Sequence, residues 1–419
     1  MFNISPVTVL APLFTLLLVA GGIAMAAWYI SQPRWMDGKF NVAVAEFRQI
    51  GETDNPSIGQ DASQILFESL DYEYRLAGLD VQVAHTNIGE IRDSDEAERL
   101  AQQINADVVI YGTVSVTGDD VQIAPKFYVT DAALIDISEL IGLHNLAAPI
   151  KFSKQEIFDL QGSRSDELQQ RATIVIEFTK CIAYLASHDE NLIDDALEAI
   201  QRAIDSASDQ EFKGKEVLFL FASASAKLAG DLDAAQDYIN QAFVINPTYG
   251  RAFIVQGNIY YMRGVGHYRE DDLVTSQEEF ATALAFYSEA LQPENNYPSN
   301  AYISEKAHVG LGNVYTFQYQ IANSVEKADF AQNAISHYQF VTESYLSERD
   351  DHLRELAAAA YYGLSVIYQG ENEHCAALMV LEQALALTER SDVETRAQNR
   401  LDQVQPMAGD CQPDSLAGS

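Results

Sequence analysis

The stretch Val217–Pro247 constrains the fold of this chain more than any other. A first helix runs up to Leu228 and stops at Gly230, where a residue without a Cβ lets the chain turn. A second starts after Asp231 and ends at Asn246-Pro247. It places a small residue at Ala235, a bulky one four positions on at Ile239, and another small one at Ala242. Small residues let two helix backbones approach, and the bulky one fills the groove beside them. Two helices with that spacing and a tight turn can only form a closely packed antiparallel hairpin.

The same spacing recurs on both sides. A first hairpin pairs a helix over Asp166–Ala186, N-capped by Ser165, with Ile193–Ala207, where Ala196 and Ala203 stand seven apart. The third opens with Phe253, Gly257 and Tyr260. It is expected to break at Gly264, pass through an insertion over Val265–Gln277, and resume with Ala283, Tyr287 and Ala290. The fourth carries His308, Leu311, Gly312 and Tyr315, a loop near Ala322–Lys327, then Ala334, Tyr338 and Val341. The fifth carries Tyr361, Leu364, Ser365 and Tyr368, then Ala377, Leu381 and Ala384, followed by a terminal capping helix over Asp392–Val404 and a short polar tail.

This pattern resembles the tetratricopeptide (TPR) repeat over about Ser165 to Val404. Ser365 stands where the family has a glycine, and only Pro247 keeps the family's proline position. The resemblance implies a solenoid whose first helices line an inner groove that binds other proteins, with no chemistry of its own. Carrying the family register across gives groove-facing positions at Arg251, Asn258 and Tyr261, at Lys306, Asn313 and Phe317, and at Tyr362. A basic residue and an amide seven apart lie on one helical face, so Arg251 with Asn258 and Lys306 with Asn313 can meet a peptide carboxylate or backbone. The alternative is that these are solvated residues and the asparagines bond to neighbouring helices. The regular second hairpin, with Val217, Leu220 and Ala224 on that face, reads as scaffold.

Ahead of the repeats, Phe40–Phe47 reads as a strand apolar on both faces. Ala62, Ile65, Leu66, Ser69 and Leu70 fall on one helical face, and Gly78 ends that helix. Val81–Val83 is a second strand. Asp93 with Glu96 forms a capping box before a helix carrying Ala97, Leu100, Ala101 and Ile104. Asp107–Val116 and Val121–Val129 are strands joined by Gly118-Asp119-Asp120, and Pro125 argues that the second is an edge or is bulged. Ala147–Phe152 offers a closing strand. The order β-α-β-α-β-β specifies a small α/β domain over residues 39–152. The run Val42-Ala43-Val44-Ala45-Glu46-Phe47 and the segment Ala106–Val114 with its glycine at Gly112 resemble the TolB amino-terminal and FlgO-like module, over about Phe40 to Asp131. That module also precedes TPR arrays in some bacterial cyclase-type signalling proteins. The resemblance implies an accessory or sensory role and supplies no catalytic residues.

From Met1 to Pro33 no side chain is charged, and Val7–Ile30 is almost wholly apolar. It is long enough for a bilayer core of roughly 30 Å. Trp28, Tyr29 and Trp35 stand where an interfacial belt belongs. A cleaved signal peptide competes through Ala24-Met25-Ala26, but a basic n-region is missing. The expectation is an uncleaved anchor over residues 7–30 after a short N-terminus over residues 1–6. Arg34 and Lys39 follow the helix, so the positive-inside rule faces the soluble part to the cytoplasm, with an extracytoplasmic orientation as the alternative.

Composition excludes some functions. Asp and Glu number 61 against 26 Lys and Arg, a net charge of −35, which repels nucleic acid and anionic lipid. The three cysteines, Cys181, Cys375 and Cys411, make no disulfide framework and have no metal-ligand spacing. Glu373-His374-Cys375 cannot all face one ion from adjacent helical positions. Gly310-x-Gly312 follows no strand, and Gly264-x-Gly266 reads as a loop. No catalytic residue, metal site or cofactor is expected. The chain reads as a membrane-anchored, non-catalytic adaptor for a protein or peptide partner, with residues 405–419 as a disordered tail. The alternative is a sensor whose α/β domain binds a small molecule or envelope fragment and whose repeats relay its state to a signalling partner.

Overall fold

The fold is taken from a computed structural model that describes residues 33–51, 57–118, 120–130, 138–146, 150–153, 166–187, 189–208, 212, 214–295, 302–348, 350–388, 391–408 and 411. The expected anchor Val7–Ile30, the cap Ser165 and nearly all of the expected tail lie outside them. Among the described residues no helix is long and apolar enough to cross a membrane.

Two compact units emerge. The first takes the described residues through Ile123 together with those from Lys151 to Ser153; the second takes those from Ala124 to Ile150 and from Asp166 onward.

In the first unit β1 (Phe40–Val44), β2 (Arg48–Ile50), α1 (Ile58–Leu76), β3 (Val81–Ala84), α2 (Ser94–Ile104) and β4 (Val108–Thr117) follow in order. β1 lies between β3 and β4, parallel to both, with Val42 opposite Val83 and Val108. A strand flanked on both edges and covered on both faces has no wet side, which is why β1 is apolar at nearly every position and fully buried. Asp93 caps α2 by accepting from the Glu96 amide at 2.9 Å, and the Glu96 carboxylate reaches back to the Arg92 amide at 2.9 Å.

β5 (Asp120–Val129) runs from the first unit into the second. There it pairs antiparallel with β6 (Gly142–His144), Phe127 opposite His144 and Val129 opposite Gly142. The edge expected from Pro125 is therefore taken up, beyond the proline, by a short strand too small to show in the sequence pattern. The closing strand β7 spans Ile150–Ser153.

The second unit then builds five helical hairpins and a last helix: α3 (Asp166–Ala186) with α4 (Ile193–Ser206), α5 (Lys215–Leu228) with α6 (Leu232–Ile245), α7 (Gly250–Arg269) with α8 (Leu273–Ala290), α9 (Ile303–Ile321) with α10 (Lys327–Glu348), α11 (Asp351–Gly370) with α12 (His374–Leu387), and α13 (Ser391–Ala408). In the α5–α6 turn Gly230 takes φ +81° and Asp231 caps α6 through the Ala234 amide at 2.9 Å. Ala235, Ile239 and Ala242 are fully buried, as are Ala377, Leu381 and Ala384 in the fifth hairpin. The helical-hairpin half of the sequence reading is thus present, and the array is TPR-like.

The expected insertion over Val265–Gln277 is not a loop. α7 continues through Gly264 and Gly266 to Arg269, turns at Asp271, and α8 starts at Leu273. Gly264 is a packing residue: a Cβ there would stand 2.6 Å from the Phe280 ring, and its carbonyl accepts from the Ser276 hydroxyl at 2.8 Å. The glycine costs the helix about 1 kcal/mol in propensity, and close approach of α8 offsets it.

Candidate functional site

The first helix of each hairpin should present a groove face, and the second hairpin shows that part of this face is already covered. From Val217 to Ala226 every residue of α5 is buried, on all sides of the helix. A helix apolar all round must be packed all round. α6 covers one side. The chain's own segment Ser138–Leu146 belongs to the same unit and lies against the first helices of the hairpins. Leu140, His144 and Leu146 are fully buried. The His144 ring meets Phe221 edge-on at 5.2 Å, while Phe178 links Phe221 to Phe127 of β5 at 4.7 and 5.1 Å. Gly214 leaves no room for a Cβ because the Asn145 carbonyl fills that space.

Two cations hold this segment. Arg251, 1% exposed, donates from Nη1 to the carbonyls of Glu139 and Ile141, both at 2.6 Å, and Nη2 approaches the Leu143 carbonyl at 3.5 Å. Lys227 donates to the buried Glu139 carboxylate at 2.5 Å. Burial pushes the Glu139 carboxyl upward, but Lys227, with Lys306 beyond it, wins and holds it below its ordinary value. Burial and the Arg251 charge together keep His144 neutral, its pKa well below the usual imidazole value. Arg251 therefore does not face an open groove. It fastens a piece of its own chain, because a guanidinium can satisfy several carbonyls that no helix or sheet ladder reaches.

The asparagines bond to neighbouring helices, the alternative reading of their spacing. The Tyr287 hydroxyl donates to Asn258 Oδ1 at 2.6 Å, and the Tyr338 hydroxyl to Asn313 Oδ1 at 2.9 Å. Each tyrosine ring is seated between glycines of two successive first helices, Gly257 and Gly310 for Tyr287, Gly312 and Gly363 for Tyr338. A tyrosine at the bulky position of the second helix needs both: glycine to admit the ring and an amide to satisfy a buried hydroxyl. In the fifth hairpin the bulky residue is Leu381, and Ser365 can replace glycine because no ring has to enter.

What remains open lies further along. A pocket of about 450 Å³ is lined by α7, α9, α11 and α13 and by Tyr338 of α10, with Ile141 of the self-docked segment in its wall. Tyr261, Lys306, Asn313, Phe317 and Tyr362 line it, so five of the seven expected positions converge there; Arg251 and Asn258 do not. Phe317 meets Tyr261 edge-on at 6.5 Å and packs at a tilt against Phe280 at 5.1 Å. Tyr302 also lines the pocket, in the left-handed region at φ 49°, with its hydroxyl on Asp350. Such a conformation is costly for a bulky residue and is held only by its surroundings.

Arg396 and Arg400 complete the lining and were not foreseen. They stand one helical turn apart on α13, with guanidinium carbons 5.7 and 5.5 Å from the Tyr362 ring centre. The usable signal was two arginines at i and i+4 on the terminal helix of a strongly acidic chain. Among the described residues no group of three His, Cys, Asp or Glu side chains is placed to hold a metal.

A disulfide joins Cys375, in the first turn of α12, to Cys411, just beyond α13, leaving Cys181 buried as a free thiol. The three cysteines make no framework, but two of them form this single cross-link, which their spacing did not signal. Thirty-six residues of sequence separate the pair, and only the return of α13 along α12 brings them together.

No family model and no curated protein matches the chain. Among solved structures, a similar one is that of a protein described as a thermophilic TPR protein in Thermus thermophilus, at 15% identity and a TM-score of 0.39 over 54% of this chain and 98% of that one.

Proposed function

We propose that this chain is a membrane-anchored, non-catalytic adaptor that holds a segment of a partner protein in the groove of its helical array. The observation that carries the reading is the pocket on the first-helix faces of the third to fifth hairpins, closed along one side by α13. It combines aromatic walls with a few polar and charged groups, as protein-binding and ligand-binding clefts do. The self-docked segment supports it, since one part of the same face already holds a piece of polypeptide, a single 3-10 turn over Ser138–Leu140 followed by β6.

Anchoring rests on the uncharged run Val7–Ile30. For orientation we favour the extracytoplasmic alternative over the cytoplasmic one, because the Cys375–Cys411 disulfide fits an oxidising compartment. We read the first unit as a TolB-amino-terminal or FlgO-like accessory module; its parallel β3-β1-β4 core with intervening helices is consistent with that likeness.

The test is to pan a library of displayed peptides against the full-length protein in detergent, then repeat with Ala359→Trp, which fills the pocket from α11. Retained sequences should be lost in the variant. Equal retention by both proteins would sink the adaptor reading.

A further inference from the structure

The groove reading leaves the chemistry of the partner open, and this inference rests on that reading. The pocket carries three cationic side chains, Lys306, Arg396 and Arg400, against one carboxylate, Glu355. In a chain of net charge −35 that local excess runs against the whole molecule. Both guanidinium carbons lie within 6 Å of the Tyr362 ring centre, at 5.7 and 5.5 Å, and Arg400 also donates from Nη1 to Gln369 Oε1 at 2.5 Å. A guanidinium fork matches a carboxylate.

The neighbouring part of the groove supplies a template. Its occupant, Ser138–Leu146, presents backbone carbonyls to Arg251 and an acidic side chain, Glu139, to Lys227, while Lys306 acts on the same carboxylate. Ile141 of that segment is part of the pocket wall, so the pocket begins where the self-docked segment passes. The same polar arrangement, cations set among aromatic rings, continues from Lys306 to Arg400.

We propose that the pocket takes an extended acidic segment of a partner protein, with a carboxylate at Arg396 and Arg400 and an apolar side chain against Tyr261 and Phe317. The three cations repel basic segments.

The experiment uses the full-length protein in detergent and dye-labelled pentapeptides holding one phenylalanine and two glutamates, two glutamines or two lysines, read by fluorescence anisotropy. The glutamate peptide should bind at least about tenfold tighter than the others, and its affinity should fall as salt is raised. Arg396→Glu with Arg400→Glu should abolish that preference. Arg396→Lys with Arg400→Lys should lose most of it while keeping charge and fold, and Arg99→Glu in the first unit should leave it unchanged. Unlabelled glutarate should compete far less well than unlabelled peptide.

Several results overturn the proposal. Equal binding of the lysine peptide, or indifference to both arginine changes, removes the acidic partner. If Ala359→Trp still abolishes peptide binding in that case, the adaptor reading survives alone. Glutarate competing as well as the peptide makes this a small-carboxylate site instead. Concentration-dependent self-association that Ala359→Trp removes makes a second copy the occupant. If no peptide of any charge binds and Ala359→Trp changes nothing, both readings fall.

Discussion

The guanidinium of Arg251 donates to the backbone carbonyl of Glu139 across 112 residues of sequence, at 2.6 Å and inside the protein. This one contact turns a presumed ligand-binding arginine into a structural fastener. Arg251→Met keeps the bulk and removes the donors, leaving the Glu139 and Ile141 carbonyls buried without a partner. Hydrogen bonds to charged groups contribute about 1.5–3 kcal/mol each, so the expected loss is about 3 kcal/mol. A urea titration reads it, and amide exchange at Gly142–His144 should speed up. A change below about 0.5 kcal/mol would show that Arg251 is not the fastener.

Lys227 and Glu139 form a pair whose side chains are only 10% and 4% exposed. Lys227→Met strands a buried carboxylate and should cost about 3–5 kcal/mol. Adding Glu139→Met should restore most of it, because two apolar groups need no solvation. A double variant as unstable as the single one would contradict the pairing.

Glycines in the helices divide by what a Cβ would meet. At Gly310 and Gly363 it would run into the rings of Tyr287 and Tyr338, whereas at Gly266 it meets nothing. Gly310→Ala should therefore destabilise by about 1–3 kcal/mol through overpacking. Gly266→Ala should be neutral or gain up to about 1 kcal/mol in helix propensity. Thermal unfolding monitored by circular dichroism distinguishes the signs, and identical shifts for the two would refute the packing account.

His308 and His337 face each other from α9 and α10 with Nδ1 atoms 2.8 Å apart. Burial first, and the neighbouring imidazole second, bring His308 down to about 4, and burial lowers His337 as well. The unfolded chain then binds more protons than the folded one between the ordinary value of 6.5 and about 4. Stability from this pair is complete above that window and is lost as pH falls through it. His308→Gln should flatten the acid limb of a stability-versus-pH curve. A limb of unchanged slope would mean other groups set it.

Denaturing thiol titration of protein isolated without reductant should find one free thiol, that of Cys181, rather than three. Reducing the 36-residue cross-link should destabilise the end of the array by about 2–4 kcal/mol. Three titratable thiols would remove the cross-link and the compartment argument built on it.

Residues that report on their immediate neighbours were legible. Asp93 with Glu96, Gly230 with Asp231, and Ala235 with Ile239 and Ala242 lie within a few positions of what they contact, so their spacing carries the geometry. Gly264 misled for a related reason. Glycine signals a helix end or a close approach equally well, and only Phe280, sixteen positions on, decides between them. The groove register found five pocket-lining positions because it follows helical periodicity. Arg396 and Arg400 lie outside that register, on α13, and escaped it.

Sequence alone determined the hairpin seams, the fully buried β1, and the order of the longer helices and strands, because each follows from periodicity and capping within one or two turns; β2 and β6, three residues each, are too short to show it. It also held an unread sign in the α5 run Val217–Ala226, whose lack of any polar face requires a second cover. What supplies that cover, the segment Ser138–Leu146 under Arg251 and Lys227, was decided only by tertiary structure, as was the meeting of Cys375 with Cys411. Both depend on contacts between residues far apart in the chain, where no local spacing fixes which surface meets which.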